Sequence, residues 1–474
     1  MTQENGSAEL VIRGGRLVDP ANGIDARRDV HIVRGAVAAV LPPQTAIPEG
    51  AEVLDAGGAV VSPGFVDVHS HLDAAEDLWL QVQDGVTTAL EMEAGTLRTA
   101  RSASARFVAN QGSTASWALA RMEVACRHPV VGGFDAFAEG ARSASWSRPF
   151  GPDQVDRVLR ILDNELSRGA LGVGMLLGYA PDVTRDEVRQ VAALCAARDR
   201  LLVVHSRYMA KWSDAGNDSL AGIRELIQLS RRLGTRVHIC HINSTMVGDV
   251  GPALTLIARA QAAGARVTTE AYPYGCGCTV IGAPFLAADQ LDSLGIDVTR
   301  IRLASGRRLR HPDELDEVRR TSPAELALFN WLDDDDWQQG LRPFDRPGVI
   351  VASDAMPSVP RAATGRFTHP RSVASFSTAV RALQDHRGWG ISEIVDRCAA
   401  RPAAIVGGPL AGKGHLGVGA GADLVIFDPA EVRPRATFEH SLPSTGIRHV
   451  LIGGAAVVRD GARVASAAGR ELIA

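Results

Sequence analysis

At 474 residues, 46% hydrophobic and 22% charged, the chain has room for one large domain with a sizeable core and a smaller one beside it. A formal net charge of −4 gives no basic footprint, which argues against nucleic acid as a partner. No apolar run of about 18 residues suggests a membrane span, and the opening MTQENGSAELVIRGG lacks a basic segment followed by an apolar one, so a cytoplasmic protein is expected.

The first sixty residues read as short strands with turn punctuation: LVIRGGRLVD, DVHIVRGAVAAV and EVLDAGGAVV. The last fifty look alike, with ADLVIFDP, HVLIGGAAVV and RDGARV. Gly-Gly and Asp-Gly pairs at this spacing predict hairpins. The two ends are expected to pair into one small β domain, residues 1–62 with 410–474, and the middle of the chain is inserted between them.

Next comes SPGFVDVHSHLD, residues 62–73, an apolar run that ends in two histidines. Side chains at i and i+2 of a strand point the same way, so His69 and His71 share a face. Taken alone, the pair suits either two ligands of one metal or two polar residues where a strand leaves the core.

The pattern then changes to alternating helices and strands. DQVDRVLRILDNELSRG puts Val155, Val158, Leu159, Leu162 and Leu166 on one helical face, stops at Gly169, and is followed by the strand-like ALGVGMLL. TRDEVRQVAALCAAR opens with Thr184 and Glu187 at capping-box spacing and leads into LLVVHSR. SLAGIRELIQLSRRLG leads into TRVHICHIN, and GPALTLIARAQAAG into ARVTTEAYPYG. Units repeating every 30 to 35 residues or so, roughly one strand and one helix each, set the rhythm of parallel βα architecture.

Over residues 63–409 eight strands are predicted, beginning near Gly64, Val86, Val108, Ala170, Leu201, Thr235, Ala265 and Gly348. Eight parallel strands with helical crossovers close a (β/α)8 TIM barrel. The stretch 275–346 is then an insertion above the barrel mouth. Its acidic run WLDDDDW, residues 331–337, lacks interleaved oxygen-ligand spacing and reads as a solvated loop. Six cysteines make no disulfide framework in so long a chain, and the pair Cys276 and Cys278 has no second pair to complete a zinc-type set.

In such a barrel the active site lies at the C-terminal ends of the strands. Those ends carry His69 and His71 on the first strand, His205 on the fifth, His241 on the sixth and Asp354 on the eighth. Imidazole and carboxylate together suit zinc or a similar divalent ion, which favours ligation for all four histidines. His238 lies three residues before His241, out of phase with it on a strand, and reads as structural.

At this point the chain resembles the amidohydrolase superfamily and, within it, the D-aminoacylase (N-acyl-D-amino-acid deacylase) branch. SPGFVDVHSH, QDGVTTALEMEAG, GALGVGMLLGYAP, VVHSR, VHICHINS, EAYPY, ASDA and THPRS match that branch in order, and GKGHLGVGAGADLVIFDP resembles the return to the β-sandwich. ALEMEAG is similar to proteins known as N-acyl-D-glutamate deacylases. The resemblance implies hydrolysis of an amide or related C–N bond by metal-activated water, with one or two zinc ions. It implies metal ligation by His69, His71, His205 and His241, and proton transfer by Asp354. It also places Arg371, with Arg207 second to it, where the family holds the carboxylate of a small-molecule substrate, a task that suits a guanidinium fork.

Two departures from the family pattern shape the expectations. ALGVGMLLGY has no lysine to bridge two metals, and Ala94 stands where D-aminoacylases have a cysteine. Glu93 is expected to supply the missing bridge, in preference to Glu91, because it lies nearer the mouth. Asn243 stands where many D-aminoacylases have a lysine, which leaves the side-chain preference open, an acidic one included. Tyr272 or Tyr274 is expected to hydrogen-bond the oxyanion or the substrate carboxylate. The alternatives are a cyclic-amide hydrolase or cyclase and a non-catalytic barrel scaffold, and a homo-oligomer is allowed.

Overall fold

The structure, a computed structural model, describes residues 9–98, 107–209, 218–332, 334–361, 365–464 and 467–474. Eight strands make the barrel: β1 Phe65–Asp67, β2 Val86–Thr96, β3 Asn110–Ser116, β4 Gly172–Leu176, β5 Leu201–His205, β6 Arg236–Ile239, β7 Val267–Ala271 and β8 Ile350–Val351. They are parallel and follow chain order around the sheet, each starting within two residues of its predicted start. Val66, Val68, Leu90, Met92, Leu201, Val203 and Ile350 pack together as one apolar cluster of the barrel, which accounts for their β-branched and aliphatic character.

The barrel closes just beyond β1 and β8. Ser70 and Ala355 form a parallel bridge, His71 N donates to Ala355 O (2.9 Å), and Ala355 N donates to His69 O (3.3 Å). Buried Asp67 ties the same seam, accepting from Ser353 N (3.0 Å), the Ser353 hydroxyl and His69 N (3.2 Å). This closure sets the histidines after β1 beside the aspartate after β8.

The helices follow their apolar patterns. Helix Pro152–Ser167 buries Val155, Val158, Leu162 and Leu166, with Leu159 half-buried. Thr184 caps helix Arg185–Ala197 by accepting from Glu187 N (3.2 Å). The Glu187 carboxylate does not complete a capping box, however. It is fully buried and accepts from Trp117 Nε1 (2.9 Å) and Arg121 Nη1 (2.5 Å), so tertiary charge pairing overrides the local cap.

Nine strands from the two ends of the chain form one continuous sheet with its own core, built around Ile12, Leu17, Ile32, Leu424, Ile426 and Leu451. Strand Val60–Pro63 joins the halves, lying parallel to Leu10–Asp19 and antiparallel to Leu424–Phe427. Two of the predicted hairpins are present, whereas Gly14–Gly15 lies inside strand Leu10–Asp19 at a break in its register, and Gly57–Gly58 joins strands Glu52–Asp55 and Val60–Pro63, which both run parallel to Leu10–Asp19. Gly453–Gly454 (φ +55° and +78°) and Asp460–Gly461 (φ +48° and +75°) are left-handed at both residues, as type I′ hairpins require. The last residues cross back to the barrel, where Leu472 N donates to Gln111 O (2.7 Å) and Ala474 N to Gly169 O (3.1 Å).

Within 275–346, strands Cys276–Val280, Leu326–Asn330 and Ile301–Leu303 form a small antiparallel sheet. Cys276 and Cys278 are buried on it and form no disulfide. The side chains of the acidic run at 333–336 lie outside the described residues. Among the described residues no helix is long and apolar enough to cross a membrane.

Candidate metal centre

The four histidines converge on one carboxylate. The Nε2 atoms of His69 and His71 are 3.2 Å apart. Glu93 Oε2 lies 3.3 Å from His69 Nε2 and 3.6 Å from His71 Nε2. Its other oxygen, Oε1, lies 3.1 Å from His205 Nδ1 and 2.8 Å from His241 Nε2. One carboxylate thus presents one oxygen to each histidine pair.

Glu93 reaches this position through an irregularity rather than through simple alternation. Leu90 and Met92, not the glutamates, join the apolar cluster with Val66 and Val203. Regular pairing of β2 with β3 breaks between Glu91 and Thr96. There the Glu91 carboxylate accepts from Ala94 N (3.1 Å) and Gly95 N (3.2 Å), and Glu93 stands among the histidines. Glu91 is therefore not a rival bridge. Its Oε2 lies 2.6 Å from His71 Nδ1 and holds that ring.

Glu270, at the end of β7, does the same for His69, pairing with its Nδ1. It also meets His238 Nε2 (3.0 Å) and accepts from His241 N (3.3 Å), which gives His238 a supporting place behind the site. His241 Nδ1 lies 3.1 Å from the Ser244 hydroxyl. His241 (φ +22°) and Asp354 (φ +49°) both adopt left-handed backbone, strain of a kind that collects at functional sites.

Asp354 Oδ1 lies 3.5 Å from each of His69 Nε2 and His71 Nε2, and its Oδ2 pairs with Arg371 Nη2 at 2.9 Å. Arg371 is fully buried, donates to Cys278 O (3.0 Å), and sits 4.6 Å above the Tyr272 ring. Its Nε and Nη1, and the Tyr272 hydroxyl, are buried without a hydrogen-bond partner.

The electrostatics call for a cation. Burial disfavours charge on His69, but Glu270, Glu93 and Asp354 outweigh it and raise the imidazole well above its ordinary value. His71 is raised likewise, burial being outweighed by Glu91, Asp354 and Glu93. Burial also opposes charge on Glu93, yet His69 and His241 hold its carboxyl well below the usual range. Asp354 is held at about 2, its burial outweighed by Arg371 and His69.

With Nδ1 of both first-strand histidines turned to carboxylates, their Nε2 lone pairs face each other and require a shared positive charge. Protons supply it in the protein alone. A divalent ion supplies it equally, and nitrogen–carboxylate donor sets of this kind suit zinc. Candidate ligand atoms of His69, His71 and Glu93, and of Glu93, His205 and His241, lie within 4.8 Å of one another.

The structure thus gathers His69, His71, Glu93, His205, His241, Asp354, Arg371 and Tyr272. It does not gather Arg207, whose guanidinium donates to Glu225 (2.9 and 2.8 Å), Pro181 O (2.7 Å) and Val183 O (2.5 Å), fastening the start of a neighbouring helix. Tyr274 also points elsewhere, its hydroxyl on Thr378 (2.9 Å). Asn243 donates to Tyr272 O (2.9 Å) and so supports that tyrosine from behind. Sequence reasoning missed Glu270. The glutamate of TTEAYPY stands at a strand end like the histidines, so the same strand-end test applied to β7 finds it.

A family model for the amidohydrolase family matches residues 52–249. The N-acyl-D-glutamate deacylase of Alcaligenes xylosoxydans xylosoxydans is 29% identical over 95% of this chain and 93% of its own. The D-aminoacylase of the same organism is 26% identical over 98% of this chain and 97% of its own. Among solved structures, the Bordetella bronchiseptica N-acyl-D-glutamate deacylase complexed with zinc and a phosphonate inhibitor superposes with a TM-score of 0.76, at 24% identity over 99% of this chain and 100% of that one. A dihydropyrimidinase from Brevibacillus agri is more distant, with a TM-score of 0.62 at 17% identity over 98% of each chain. Residues 52–249 thus carry an amidohydrolase domain, and along nearly its whole length the chain is similar to N-acyl-D-amino-acid deacylases.

Proposed function

We propose that the protein hydrolyses the amide bond of N-acyl-D-amino acids at a divalent-metal centre made by His69, His71, Glu93, His205 and His241, with zinc the ion. The observation that carries this reading is the Glu93 carboxylate, one oxygen toward each histidine pair, beside Asp354 and the unpartnered N–H groups of Arg371. The relatives named for D-amino-acid deacylation align along nearly the whole chain, which supports the same chemistry.

When bound, a divalent ion lowers the pKa of water towards about 7 and polarises the scissile carbonyl. The chain's own groups do the rest. Arg371, through Nε and Nη1, and the Tyr272 hydroxyl hold the substrate carboxylate. Asp354, held ionised, accepts the proton of the attacking water and returns it to the leaving nitrogen. Glu270 and Glu91 fix the tautomers and orientations of His69 and His71. Six cysteines, none in a disulfide, fit a reducing compartment, and we place the enzyme in the cytoplasm.

The test is a screen of N-acetyl, N-formyl and N-carbamoyl amino acids of both hands, following amine release with zinc present. Release from N-acyl-D-amino acids, abolished by chelation and restored by zinc, is the expected result. Activity confined to cyclic amides, or unaffected by chelation, contradicts the proposal.

A further inference from the structure

Two neighbouring helices outside the barrel strands bring arginines to one concavity. On helix Arg185–Ala197, Arg185 and Arg189 are four residues apart. On helix Ser219–Leu233, Arg224, Gln228 and Arg232 follow at i, i+4 and i+8, so each set shares a helical face. Both sets line one cavity of about 500 Å³, a size that suits a small molecule. It shares no lining residue with the cleft that holds the candidate metal centre.

The charges around this cavity are unbalanced. Among the described residues that line it, Glu225 is the one carboxylate, and Arg207 takes both its oxygens (2.9 and 2.8 Å). Arg189 pairs with Asp186 (2.6 Å), and Arg224 lies 3.6 Å from Asp218. Arg185 and Arg232 make no ion pair or side-chain hydrogen bond with any described residue, and all four arginines are exposed. In a chain of net charge −4 this is a local reversal of sign. Ala221, Leu229 and Leu233 add an apolar part to the lining.

We propose that this cavity binds an oligophosphate anion, either free or carried on an organic group. A guanidinium fork pairs two oxygens at once, so a lone carboxylate satisfies one fork, whereas a chain of phosphate groups reaches several. Like charges gathered around one concavity repel each other, and an anion that enters offsets that repulsion. The apolar lining removes part of an organic group from water when one is attached.

The experiment is equilibrium dialysis of the whole protein against tripolyphosphate and, separately, against ATP, with wild type beside the Arg185→Ala, Arg232→Ala double variant. Both residues are exposed and have no described partner to lose, so the variant keeps its fold. Saturable binding to wild type is expected, weakened about 10-fold or more in the double variant, the scale of lost charge-assisted hydrogen bonds. Raising the salt concentration should weaken it further, because the arginines are exposed. Tighter binding of ATP assigns the site to an organic phosphate, and equal binding of the two to the free anion. Binding of neither, or binding that is equal in wild type and double variant and so lies elsewhere on the protein, overturns the proposal.

Discussion

Arg371 and Asp354 are joined by an ion pair of 2.9 Å, while two guanidinium nitrogens, Nε and Nη1, are left without partners. A single buried cation therefore faces two anions in the proposed reaction, the proton acceptor on one side and the substrate carboxylate on the other.

Replacing Arg371 should consequently show two effects together. Arg371→Gln is expected to raise KM about 10- to 100-fold, the scale of lost charge-assisted hydrogen bonds. Arg371 is also the leading influence that keeps Asp354 low against its own burial. Without it the Asp354 carboxyl rises. A base works only when deprotonated, so the acid limb of kcat/KM should move to higher pH. Arg371→Lys should return the limb towards its wild-type position without restoring KM. An unmoved acid limb in the glutamine variant separates the two residues functionally.

Asp354→Asn keeps size and most hydrogen bonding but removes the proton acceptor. The expected loss in kcat is about 10²- to 10⁴-fold, with zinc content unchanged. Turnover near the wild-type rate leaves Asp354 with a structural role only.

Metal retention reads out the supporting carboxylates as well as the histidines. His69→Ala with His71→Ala should lose most bound zinc. Glu270→Gln removes no ligand but loosens His69 and His238 together. Zinc affinity, measured by competition with a chelator, should weaken about 10- to 100-fold. Wild-type affinity in Glu270→Gln makes the carboxylate a packing element.

The sequence exposed those parts of the site whose side chains follow from strand periodicity. His205 ends a run of apolar residues, and Asp354 ends another, so barrel geometry alone brings them to the mouth. A missing bridge gives Glu93 a sound chemical reason to enter the site, but alternation does not put it there. A broken ladder between Glu91 and Thr96 does, and breaks of that kind follow from tertiary contacts, including the hold of Glu91 on Ala94 N, Gly95 N and His71. Arg207 illustrates the converse. It follows a strand-end histidine by two residues, as a site arginine would, yet Glu225, eighteen residues on, captures it. Which of two well-placed arginines meets a substrate is decided by partners distant in sequence.

In the proposed function Glu93 bridges a metal centre. Diffraction from zinc-loaded crystals at the zinc absorption edge, on wild type and Glu93→Ala, tests it most directly. About two zinc ions are expected in the wild type, as in other two-metal hydrolytic sites, with the Glu93 carboxylate between the His69–His71 and His205–His241 pairs. Glu93→Ala is expected to lose the second ion while the site at His69 and His71 stays partly filled. A zinc-loaded wild type with the Glu93 carboxylate turned outward onto an arginine, or a Glu93→Ala variant with both ions at full occupancy, contradicts it.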